Sequence, residues 1–137
     1  MTWTDLITGA MNETYRVTDN LMAMVGDDEL EWKPATGKNW MTTGQLLMHC
    51  TNACGLCCQG FVTGDWGLPE GMEMTDLPED AMLPPAEKLP AVASVADARR
   101  LLAADLQLGL RMVAEAGEER LDGEMLRAPW APRECPD

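Results

Sequence analysis

Apolar residues spaced three and four positions apart, sustained over three separate stretches, constrain this chain more than any other feature. In the clearest stretch, Val95, Ala98, Leu102, Leu106, Gly109, Val113 and Ala116 form one stripe, widened by Leu101, Leu108 and Met112. Ser94 followed by Asp97 supplies a start signal and Gly117 a stop, so the spacing predicts a helix over about 94–116. Between 2 and 25, Trp3, Leu6, Ile7, Ala10, Met11, Val17, Leu21 and Val25 repeat the pattern up to Gly26. A third helix is predicted over about 43–62, where Thr42 and Gln45 make a capping box ahead of a stripe of Leu46, Cys50, Ala53, Cys54, Cys57 and Phe61. Three such stripes cannot each bury themselves alone, which predicts an all-α, up-and-down bundle in a single domain, 1–137. One face of that bundle is left for the loop, a further helix or a subunit partner to cover.

Composition agrees with helices. Hydrophobic residues make up 46% of the 137 positions but aromatics only 5%, and eleven Met supply much of the apolar volume. The Met are dispersed along the chain, as core filler is, rather than clustered as soft-metal ligands. The balance of 23 acidic to 10 basic residues gives a net charge of −13, which opposes the approach of nucleic acid or an anionic membrane surface. No run of 18 apolar residues and no signal-like opening is present, so a cytoplasmic protein is expected. Five cysteines, four of them within nine residues, suit free thiols better than a disulfide framework.

Two connectors punctuate the helices. DDELEWKPATGKNWMT holds a Pro, a Gly and two Trp, and is expected to be a structured link whose Trp32 and Trp40 cover one end of the core. Residues 64–93 contain five Pro and three Gly, which rules out a long element there. Their Trp66, Leu and Met side chains predict a long ordered loop docked on the bundle, followed at the far end by a short C-terminal piece.

The stretch LLMHCTNACGLCC, 46–58, gathers the only histidine, His49, with Cys50, Cys54, Cys57 and Cys58. On one regular helix the four thiols span about a third of the circumference, together with Leu46, Ala53 and Phe61, while His49 turns toward Asn52 and Leu56. A structural zinc needs four ligands and a single helix offers only a pair one turn apart, so the thiols read first as small packing groups. A redox or soft-metal sensor built on Cys50, Cys54 and Cys57 is the competing reading. It predicts fast alkylation of the native thiols, whereas packed thiols react only on unfolding.

Residues 27–55, DDELEWKPATGKNWMTTGQLLMHCTNACG, resemble the DinB-like superfamily of four-helix bundles. The matching parts are the Trp32-Lys33-Pro34 connector with Gly37-Lys38, Trp40 before a Thr-capped helix, and the Leu47-Met48-His49 element; Ala128-Pro129-Trp130 is similar to the Pro-Trp that precedes the last helix. The resemblance implies a divalent metal, zinc or nickel, with His49 as the first of three histidine ligands and the other two on a last helix. This sequence holds one histidine and stops at Asp137, so the expectation is a bundle lacking that helix, with an incomplete site. Asn52, Asp105 and Glu115 are the candidates to assist His49, although each also reads as an ordinary solvated residue. The activity implied is a metal-dependent hydrolase or thiol transferase acting on a small molecule that enters beneath the 64–93 loop. A non-catalytic, homodimerising bundle with a degenerate metal site is the alternative from a different class.

Overall fold

The computed structural model describes residues 1–72, 84–126 and 128–129. Its helices are α1 (Trp3–Met22), α2 (Thr43–Cys50), α3 (Gly55–Thr63) and α4 (Val95–Gly123), with single 3-10 turns at Asp27–Glu29 and Ala86–Lys88. No strand occurs among the described residues. The all-α bundle expected from the apolar spacing is the fold observed. Helix α4 is its centre, packed against α1 on one side and against α2 and α3 on the other. The core joins Tyr15 and Met22 of α1 to Leu30, Leu47, Val92, Ala98 and Leu102.

Local caps start the helices, those of α2 and α4 where the sequence signals them. The Thr2 hydroxyl accepts from the Asp5 N–H at 3.0 Å while the Asp5 carboxylate accepts from the Thr2 N–H at 3.1 Å. Thr42 and Gln45 repeat this box at the start of α2, and Ser94 accepts from the Asp97 N–H at 3.0 Å to open α4. Gln45 does more, because its amide nitrogen donates to the carbonyls of Ala86 at 2.6 Å and Leu89 at 2.9 Å. Asn39 accepts from the Ala86 N–H at 2.7 Å, and the Val92 N–H donates to Gly44 at 3.2 Å. The distal part of the long loop, 84–92, is therefore docked on the start of α2 as expected; 73–83 lie outside the described residues, as does Trp130. At the proximal end, Trp66 lies over Gly60 and meets Phe61 edge to face, with ring centroids 5.0 Å apart.

The structure departs from the sequence expectations in three places. The helix predicted over 43–62 is two helices, broken at 51–54: the Thr51 hydroxyl donates back to the Met48 carbonyl at 2.7 Å, and the Gly55 N–H is captured by Asp105 of α4 at 3.0 Å. At Gly117 the regular helix ends as expected, with φ 69 and ψ 168, and after that turn a further helical piece runs on to Gly123. That turn carries Glu118 and Asp122 to the start of α1, where Glu118 accepts from the N–H groups of Trp3 and Thr4 at 2.8 and 3.0 Å and Asp122 from the Trp3 indole at 2.9 Å. Those donated hydrogen bonds hold the Glu118 carboxyl below its usual range. Trp32 and Trp40 do not cover the core, being 65% and 52% exposed; Leu30 is the buried residue of their connector, and the Trp40 indole closes a local turn onto the Thr36 carbonyl at 2.6 Å. Finally, α1 buries Met11, Tyr15 and Met22 and leaves Leu6, Val17 and Leu21 outside.

Candidate functional site

A carboxylate withdrawn from water must find donors, and the one buried acid among the described residues finds two. Asp105, 7% exposed, stands midway along α4 between α1 and α3. One carboxylate oxygen accepts from the Tyr15 hydroxyl of α1, and the other accepts from the Gly55 N–H, the first amide of α3. That amide has no acceptor within its own helix, so Asp105 acts as an N-terminal cap supplied from a neighbouring helix. A β-carbon on Gly55 would sit 2.5 Å from the Asp105 carboxylate and 2.6 Å from its carbonyl oxygen, so only glycine allows the approach. One turn along α4, Gly109 leaves room for the Met11 methyl, which puts Met11 and Tyr15 of α1 in register with Gly109 and Asp105.

The thiols surround this polar group. Cys54, at the cap of α3, lies 4.0 Å from Cys58, sulfur to sulfur. Burial, followed by hydrogen bonds to Asp105 and Cys54, pushes the Tyr15 hydroxyl well above its ordinary value. Burial is also the first cause of the raised Cys50 and Cys57 thiols, and together with neighbouring Cys54 it pushes Cys58 up to about 12. The thiolate is the nucleophile, so these shifts disfavour the reactive form of Cys50, Cys57 and Cys58.

A pH dependence follows from the sign of these shifts. A group whose folded value is raised contributes stability below its unfolded value and loses that contribution as pH climbs to the folded one. For Cys58 the window runs from 9.0 to about 12, with Tyr15 acting in the same direction above 10.0. The melting temperature is expected to hold steady up to pH 9 and fall above it, with native alkylation of Cys58 slow at pH 8. Fast labelling of the folded chain at pH 8, at the rate of a free thiol, would contradict the placement.

His49 occupies the last turn of α2 with its side chain exposed, a position where a cation suits the helix dipole. Asn52 and Glu115 are exposed as well, and Asp105 already serves Tyr15 and Gly55. Among the described residues no three His, Cys, Asp or Glu side chains are grouped to hold a metal ion. The described residues therefore do not by themselves supply the three-ligand metal centre implied for His49. What the sequence reading missed is the role of Tyr15 and Gly55. The only tyrosine of the chain, set inside an aliphatic helix, was the available sign that a buried acceptor awaited it. Beside the thiols, Ile7, Cys58, Phe61, Val62, Val113 and Ala116 line an apolar cavity of about 190 Å³, and Arg120 at its edge donates to the Val62 carbonyl at 3.2 Å.

A helical bundle pinned at its centre by one shared carboxylate is the class of protein that fold and site define. Residues 10–135 match the family model of the DinB superfamily, and the chain belongs to that superfamily. No curated protein and no solved structure matches it.

Proposed function

We propose that this chain is a non-catalytic binding module of the DinB superfamily with a degenerate metal site. The observation that supports this reading is the engagement of Asp105 by Tyr15 and Gly55: the acid at the centre of the bundle is committed to holding α1, α3 and α4 together. A catalytic zinc needs about three protein ligands and an open position, and His49 has no such company among the described residues. The raised thiols favour packing over a redox or soft-metal sensor. Free thiols and a net charge of −13 suit a cytoplasmic setting away from nucleic acid, and no helix among the described residues is long and apolar enough to cross a membrane.

A second reading, a zinc- or nickel-dependent hydrolase or thiol transferase acting on a small molecule, draws on one observation. The superfamily is generally metal-associated, and His49 is exposed at the end of α2. Elemental mass spectrometry separates the two. Untagged protein equilibrated with zinc or nickel and then desalted is expected to retain far less than one ion per chain, the same for wild type and His49→Ala. Retention of about one ion per chain that disappears in His49→Ala would replace the binding-module reading with the metalloenzyme one.

A further inference from the structure

Helix α1 carries two apolar faces, and α4 uses only one. The second face consists of Trp3, Leu6, Ala10, Val17 and Leu21, with Met24 in the turn that follows; all six lie within about 60° of one another on a helical wheel. Leu6 is 49% exposed, Val17 42%, Leu21 60% and Met24 80%. We infer that this face is a self-association surface, which pairs antiparallel with α1 of a second copy about a two-fold axis near residues 13 and 14.

The order of residues along the face is what selects a second copy. Read from either end, the stripe matches itself about one midpoint: Trp3 falls opposite Met24, Leu6 opposite Leu21, and Ala10 opposite Val17. An isologous two-fold contact demands that self-complementarity, since each residue must meet its own mirror position on the partner. The sizes also fit. Gly9 has nothing within 4 Å of where a side chain would begin, and with Leu6 and Ala10 it lines a shallow depression into which the partner's branched Val17 can settle.

Charge selects the same face. Two chains of net charge −13 repel wherever acidic surface meets acidic surface, so association needs a locally balanced patch. At the midpoint of the helix, on the flank of this face, Glu13 and Arg16 are joined at 2.6 Å. In the antiparallel pair each Arg16 comes within a turn of the partner's Glu13, so the ion pair can be shared across the axis. A helix of about 30 Å offers less than the roughly 800 Å² per partner of a standard interface, which makes the dimer reversible. The inference rests on α1 alone and holds whether or not His49 binds metal.

Sedimentation equilibrium of the full chain, from about 1 to 100 µM to bracket the affinity of a small interface, is expected to show the mass rise toward that of two chains. Leu21→Glu should weaken dimerisation at least tenfold while leaving the melting temperature of the monomer unchanged, because the side chain is mostly exposed. Glu13→Arg and Arg16→Glu should each weaken it alone, and an equimolar mixture of the two variants should associate more tightly than either. A monomeric mass at every concentration overturns the proposal. So does a dimer whose affinity changes less than twofold in Leu21→Glu, or a mixture no tighter than its components.

Discussion

Gly55→Ala is expected to lower stability by about 3 kcal/mol, near the upper end of what overpacking a close contact costs. The added methyl would begin 2.5 Å from the Asp105 carboxylate and 2.6 Å from the Asp105 carbonyl. The second of these atoms is backbone in the middle of α4, so relief requires that α3 and α4 move apart. Moving apart stretches the Gly55 N–H bond to Asp105 and loosens the Tyr15 hydroxyl that shares the same carboxylate. Gly109→Ala is the matched control. Its new methyl would meet the end of the flexible Met11 side chain, which can rotate away, and alanine favours the helix by up to about 1 kcal/mol over glycine. Gly109→Ala is therefore expected to be near neutral. Urea unfolding followed by circular dichroism measures both, and equal effects from the two substitutions would show that α3 and α4 do not meet through Gly55.

Asp105→Ala should cost about as much, about 3 kcal/mol, for a different reason. It strands two buried donors, the Tyr15 hydroxyl and the Gly55 amide, and each orphaned group costs about 1 to 3 kcal/mol. Tyr15→Phe removes only one of the two bonds and should cost less. Because the residues share one hydrogen bond, the double variant should fall short of the sum by at least about 1 kcal/mol. Amide exchange gives a second readout: Gly55 should lose protection in Asp105→Ala while the amides inside α4 keep theirs. Additive effects, or a Gly55 amide that stays protected, would remove Asp105 as the link among the three helices.

Both predictions concern contacts that no reading of the linear sequence names. Asp105 reads there as a candidate to assist His49 or as an ordinary solvated residue, and Cys54 and Cys57 as neighbours on one unbroken helix. The thiol arrangement calculated for a continuous 43–62 helix does not survive the break at 51–54, because the residue that breaks it lies 50 positions away. His49 shows the complementary limit. Its place in a Leu-x-His element carries the resemblance that the family match supports, yet among the described residues the exposed side chain at the end of α2 comes without partners grouped for a metal.

Helix α1 shows how the same pattern can serve two surfaces. Its apolar positions cover more than half of the circumference, and periodicity alone does not say which half turns inward. Asp105 decides, since its demand for a donor draws Tyr15 to α4 and with it the flanking Met11 and Met22, leaving Leu6, Val17 and Leu21 outside. The caps behave oppositely. Thr42 with Gln45 and Ser94 with Asp97 formed where the sequence signalled them.

What the amino-acid order determined by itself is therefore the set of local features: helical periodicity, the N-terminal caps of α2 and α4, the break at Gly117 and the class of fold, all governed by interactions within about four residues along the chain. What only the tertiary structure decided is which face of α1 is buried, where α2 gives way to α3, and that the central acid is spent on packing. Each of those outcomes follows from a buried carboxylate that must be satisfied, and its donors came from helices far away in sequence.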